Sequence, residues 1–236
     1  MPTKKAETKP EPIIEKLEIS DDRFYKIGEE YYPSVTTILN AYPKGYGLTS
    51  WYMDNGHDTT RIKNLAKAKG SIVHKSIERL TNGEVLSFDN FEEDEWKCLM
   101  AFCAFWEEYK PEVISSETTV YSNIYKFAGT IDSVIKIGDK FITIDYKTSK
   151  NLWAEYDIQL SAYEKARIEM KLPASNELWI VQLGNTTKKG YTIHEVKDWQ
   201  EKFVQGFLPT KTLWEQTNPN AKPFVKEIPT TLKLTY

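Results

Sequence analysis

Three charged residues near the middle of the chain have types and spacing that could do chemistry together. Asp132 ends the run Gly129-Thr130-Ile131-Asp132, and Asp145 and Lys147 sit in Ile144-Asp145-Tyr146-Lys147. On a strand, residues i and i+2 face the same side, so Asp145 and Lys147 project together while Ile144 and Tyr146 face the other way. A two-residue turn at Gly138-Asp139 would pair Asp132 roughly with Asp145. Two carboxylates brought together raise one another's pKa unless a cation lies between them. A hard divalent ion, Mg²⁺ or Mn²⁺, is the usual resolution for oxygen ligands. A lysine on the same face could then orient a water held there, or offset charge building on a phosphoryl oxygen. The local pattern equally fits a solvated hairpin with a cross-strand Asp–Lys pair of little energetic weight.

The elements that must position these residues can be read from periodicity and turn signals. Residues 1–20 mix Lys, Glu, Pro and Thr and read as a flexible tail, and residues 21–236 read as one domain. Phe24–Ile27 and Glu29–Tyr32 have strand character around Gly28, and Ser34 caps a short helix carrying Val35, Ile38 and Leu39. Residues 58–69 and 71–82 read as two helices parted by Gly70 and Ser71. A longer helix is expected from Phe91 to Lys110, with Trp96, Leu99, Met100, Cys103 and Trp106 on its apolar stripe and Pro111 as its stop. Then come strands at 117–125, 129–137 and 141–146, a helix over 151–170, and strands at 177–183 and 190–196. A last helix near 198–208 ends at Pro209. The order implies an α/β (α+β) fold with one central mixed β-sheet flanked by helices. Its parts would be a helical N-terminal elaboration (about 33–110), a sheet core (about 112–196) and a C-terminal helix and tail (198–236).

The 236 residues carry 40% hydrophobic and 28% charged side chains, enough to bury a core and too hydrophobic for a wholly disordered chain. The longest uncharged apolar stretch in its middle, Cys98–Trp106, is too short to span a bilayer, so no membrane role is expected. Two cysteines cannot by themselves supply a disulfide framework or a cysteine-ligated iron–sulfur cluster. Both lie on the apolar helix and read as packing residues. The first residues lack an apolar signal core and carry glutamate, which argues against a transit peptide and points to the cytoplasm. The net charge of -3 disfavours nucleic acid at first sight. Charge is clustered, however: Arg61, Lys63, Lys67, Lys69, Lys75 and Arg79 face a single acid, Glu78, between positions 61 and 80. Asp89–Glu108 reverses that balance. Each run fits a solvated helix face, and the basic one also fits a phosphate-binding surface.

Taken together, the motifs resemble the PD-(D/E)XK nuclease superfamily, specifically its RecB-like exonuclease branch. The likeness covers most of the chain from Pro33 to Tyr163. It rests on Gly70-Ser-Ile-Val-His74 on a helix, Glu117 on a strand, Gly129-Thr-Ile-Asp132, Asp145-Tyr-Lys147, and Gln159-Leu-Ser-Ala-Tyr163 on the next helix. Ile131 stands where the superfamily pattern has proline. The resemblance implies a restriction-endonuclease-like core. It implies that His74, Asp132, Asp145 and the Tyr146 carbonyl ligate Mg²⁺ or Mn²⁺, that Lys147 is the catalytic lysine, and that Glu117 is an auxiliary acid. Gln159 and Tyr163 would line the site and contact the substrate strand. Thr148 and Ser149 would donate to a phosphate, and Lys67 and Lys75 would bind the DNA backbone. Small stand-alone members, among them phage nucleases and the mitochondrial genome maintenance exonuclease, are the nearest likeness.

The implied activity is a metal-dependent DNA exonuclease acting on single-stranded or end-processed DNA in replication, recombination or repair. Any helicase or recombination motor would be a separate partner protein. Two rivals stand beside it: an endonuclease or junction-processing enzyme with the same site, and a DNA-binding scaffold without turnover. His57 and His194 match nothing in the pattern and read as structural. Tyr46, Trp51 and Tyr52 are candidates for base stacking, although core packing explains aromatics equally well in a chain 13% aromatic.

Overall fold

Residues 14–19 and 22–223 are described by the structure, a computed structural model. At its start β1 (Ile14–Ile19), β2 (Asp22–Ile27) and β3 (Glu30–Pro33) form a small antiparallel sheet. The expected tail therefore stops short of residue 14. Ile14 pairs with Ile27 and packs against the cluster of Tyr25, Ile27 and Tyr32, so apolar alternation outweighs the polar composition here. The rest of that tail, residues 1–13 and 20, lies outside the described residues.

Ser34 caps α1 (Val35–Leu39) by accepting the Thr37 N–H at 2.9 Å, as its position predicts. After α2 (Tyr46–Asn55) comes one helix, α3 (Thr59–Thr81), where two were expected. A helical glycine costs only about 1 kcal/mol relative to alanine, too little to break 23 residues anchored by buried Val73 and Ile77. A Cβ on Gly70 would lie 3.8 Å from Thr148 Oγ1, so α3 runs close over the chain just beyond Lys147.

Next is α4 (Glu93–Tyr109), started by a Glu92–Glu95 capping box and stopped at left-handed Lys110 before Pro111. Its buried stripe is Cys98, Leu99, Phe102 and Phe105. The expected stripe is rotated from this, leaving Met100 and Cys103 exposed. The two phenylalanines decide the rotation: they pack on the sheet with Tyr146 and Tyr191.

The main sheet has the order β4 (Glu112–Ser122), β5 (Phe127–Ile137), β6 (Lys140–Lys147), β7 (Glu177–Leu183), β8 (Tyr191–Glu195). Only β6 and β7 run parallel, joined across one face by α5 (Ala154–Glu169). Side chains of β7 alternate between two cores. Leu178 and Ile180 join the cluster under α1 and α5, while Trp179, Val181 and Leu183 join the one under α3 and α4. The fold is thus a mixed α/β sheet between helical layers, as the element order implied. The C-terminal helix does not end at Pro209: α6 (Trp199–Glu201) passes through a π-helical turn, Lys202–Phe207, into α7 (Leu208–Thr217). Pro209 falls in the first turn of α7, where a missing N–H is tolerated. Among the described residues no helix is long and apolar enough to cross a membrane.

Candidate active site

The Gly138-Asp139 turn sets the register of β5 against β6, with Ile137 opposite Lys140 and Ser133 opposite Ile144. One step further would place Asp132 opposite Asp145, but the ladder ends before it. There the Tyr146 N–H donates to Asp132 Oδ2 at 2.7 Å, a side chain taking the place of a strand. Beyond this point β6 pairs with β7 through Asp145, Tyr146 and Lys147. The two carboxylates consequently address different helices. Asp132 Oδ1 lies 3.3 Å from His74 Nδ1 on α3. Asp145 turns to α5, accepting the Gln159 side-chain N–H at Oδ1 (2.9 Å), while the Lys147 ammonium lies 2.6 Å from Oδ2 as an ion pair.

Glu117 completes the first of these groups. By the register of Ser116 with Ser133 and Thr118 with Ile131, it stands across from Asp132. Its φ of 48° is left-handed, a conformation that costs a non-glycine residue on the order of 1 kcal/mol. One ligand atom each from His74, Glu117 and Asp132 lie within 4.8 Å of one another. These three line a recess with Glu78, Ile77 and Tyr146.

The electrostatics separate the acids. Asp132 is buried, which favours its neutral form, but His74 and Lys147 outweigh this and hold its pKa below the usual carboxylate range. Burial pushes Asp145 the other way, to about 6, against the pull of Lys147. His74 is desolvated, yet the Asp132 charge dominates and raises it to about 9. Glu117 is raised by desolvation and by Asp132. Asp145 Oδ2 is buried without an aligned hydrogen-bond donor, its contact with Lys147 being an ion pair only. Imidazole and carboxylate donors, crowded acids and an unsatisfied buried oxygen together fit a divalent cation.

Most of the motif residues converge here, in the following places. Asp145 lies outside the three-residue ligand group, and Glu117 lies within it. Tyr146 contributes its N–H, through Asp132. Gln159 and Tyr163, expected against the substrate strand, are 7% and 4% exposed. Gln159 bridges Asp145, Lys147 and the Tyr163 hydroxyl. The Tyr163 ring packs on Gly129, where a Cβ would fall 2.3 Å from Cε1; this contact explains the glycine of that motif. Ser149 donates its hydroxyl to the Asn151 carbonyl within the loop. Thr148 lies under Gly70. On α3, Lys67 stands two turns before His74 on the same face, whereas Lys75 is turned about 100° away.

Of the aromatic candidates, Tyr52 lies under the Lys63 ammonium, 4.3 Å from ring centroid to Nζ, and edge-on to Trp51. The Tyr46 side chain is outside those described. His194 pairs with Asp157 across β8 and α5, a structural role. Two neighbours of the site carry no motif signal. Tyr156 places its ring 4.6 Å from Lys147 Nζ, and Glu78 joins the recess one turn beyond His74. Helical spacing from Gln159 and His74 was the only sign of them.

A family model of the PD-(D/E)XK nuclease superfamily matches residues 87–225, more than half of the chain, and the chain belongs to that superfamily. The match takes in Glu117, Asp132, Asp145, Lys147, Gln159 and Tyr163, and begins after His74. Among solved structures, a provisionally named exonuclease from Eubacterium rectale is similar, at 15% identity over 72% of this chain and 76% of that one, with a TM-score of 0.43. An alkaline exonuclease from Laribacter hongkongensis is 12% identical over 79% of this chain and 91% of that one, with a TM-score of 0.34. Among curated proteins, none matches significantly.

Proposed function

We propose that the protein is a metal-dependent deoxyribonuclease that hydrolyses phosphodiester bonds from DNA ends. The observation that carries this reading is the group of His74, Glu117 and Asp132 within 4.8 Å, beside the Asp145–Lys147 ion pair. His74, Glu117 and Asp132 would hold Mg²⁺ or Mn²⁺, with Asp145 able to join by exchanging its contact with Lys147. A divalent ion bound there would neutralise charge on the phosphate and lower the pKa of water. Lys147 would hold the attacking water or the phosphate oxygen, kept in place by Gln159 and Tyr156. Lys67, on the His74 face of α3, would contact the DNA backbone.

Action from ends, on single-stranded or end-processed DNA, rests on the likeness of the whole motif set, from Gly70-Ser-Ile-Val-His74 to Gln159-Leu-Ser-Ala-Tyr163, to the RecB-like branch. A role in replication, recombination or repair follows from that substrate. Incubating the protein with end-labelled linear DNA and with covalently closed circles, in EDTA, Mg²⁺ or Mn²⁺, separates the modes. Metal-dependent loss of linear DNA with circles intact supports an exonuclease. Nicked circles would instead make it an endonuclease with the same chemistry.

A further inference from the structure

Between Lys147 and α5 the chain makes a short loop, residues 148–153, that ends in two apolar side chains turned to solvent. Leu152 is 38% exposed and Trp153 40%. The loop itself is tied down. Gln182, beside Lys147 in the parallel register, donates its amide to the carbonyls of both Ser149 and Lys150 at 2.8 Å. Ser149 donates to the Asn151 carbonyl, and the Tyr156 hydroxyl donates to Ser149 at 3.2 Å. The Tyr156 N–H bonds the Trp153 carbonyl at 3.0 Å, and the ring of the same Tyr156 faces the Lys147 ammonium. Tyr156 thus ties the backbone of Trp153 to the lysine of the site.

An indole partly open to water on a backbone tied this closely to Lys147 offers a flat apolar face to a ligand at the site. Beside a site for phosphodiesters, and next to the exposed cation Lys150, the covering group has both a π-face and a phosphate. Bases within a duplex are already stacked on one another, so only an unpaired base can reach such a surface. We infer that Trp153 forms a platform on which an unpaired base of single-stranded DNA stacks when its backbone lies in the site. This rests on the nuclease reading for the identity of the ligand, and it names a feature of the chain that would favour single strands.

Binding without turnover tests the platform separately from the reading. A fluorescein-labelled single strand of about 20 nucleotides, an abasic strand of equal length and a blunt duplex are titrated in EDTA and followed by anisotropy. Trp153→Ala is expected to weaken the base-bearing strand about ten-fold, with the abasic strand and the duplex changed less than about two-fold. Trp153→Phe, which keeps a ring, should recover most of the loss. An unchanged affinity for the base-bearing strand, or an equal loss on the abasic strand, would overturn the inference. Failure of the wild-type protein to cleave DNA with either metal would contradict the nuclease reading and leave this binding result to stand by itself.

Discussion

Gln159 binds Asp145 and Lys147 with opposite ends of one amide, donating to the carboxylate at 2.9 Å and accepting from the ammonium at 3.2 Å. It thereby ties the two charges together from a residue that is itself buried. Gln159→Leu removes both contacts at similar volume. The expected result is a fall in kcat of about 10- to 100-fold with KM little changed. A rise in KM at constant kcat would show that Gln159 binds substrate directly.

Glu117 is held at a φ that glycine adopts freely. Glu117→Gly should therefore raise the stability of the metal-free protein, by about 1 kcal/mol, while lowering cleavage at least ten-fold. Thermal melts in EDTA alongside Mg²⁺-dependent assays measure both. A destabilised variant would mean that Glu117 is not strained for function.

These residues also show what could be read from the sequence and what could not. The hairpin register follows from Gly138-Asp139 and strand alternation, so Asp132, Asp145 and Lys147 were placed together from local pattern alone. Which helix each carboxylate faces was hidden, because it depends on the ladder ending one residue before Asp145. The resemblance implies that Gln159 and Tyr163 contact substrate, but a motif on a helix face says nothing of how deep its side chains lie. Tyr156 gave no local sign, since an aromatic at the start of α5 means a cation partner only once Lys147 stands beside it. On α3 a glycine suggested a break, but packing of Val73 and Ile77 outweighs its small local cost.

Stability in the absence of metal should depend on pH through His74. Its pKa rises on folding from 6.5 to about 9, burial opposing and Asp132 driving the shift. Its contribution is then fully present below pH 6.5 and is lost as pH rises to 9. Asp145, raised from 3.8 to about 6 by burial, has its own contribution present at low pH and lost as pH rises to about 6, below the range tested for His74. In EDTA the melting temperature should fall from pH 6.5 to 9 more steeply for wild type than for His74→Gln. Saturating Mg²⁺ should flatten the difference, because the ion displaces the His74 proton. Equal slopes in the two proteins would contradict the His74–Asp132 pairing.

Packing of Tyr163 on Gly129 predicts that even a methyl group is too large there. Gly129→Ala would place Cβ 2.3 Å from the ring and push Tyr163, and with it Gln159, away from Asp145. A loss of about 2 kcal/mol in stability is expected, together with reduced kcat in the protein that remains folded. Full stability and activity would show that the ring moves aside freely.

The central claim is that one site, with Lys147 at its heart, cleaves DNA when a divalent ion is present. The direct measurement is degradation of end-labelled linear DNA by wild type and Lys147→Ala, each with Mg²⁺, Mn²⁺ or EDTA, with DNA affinity measured in parallel. Wild type should cleave only with metal, and the variant should bind DNA while cleaving at least about 10²-fold more slowly. Cleavage by Lys147→Ala at the wild-type rate, or by wild type in EDTA, would contradict the account.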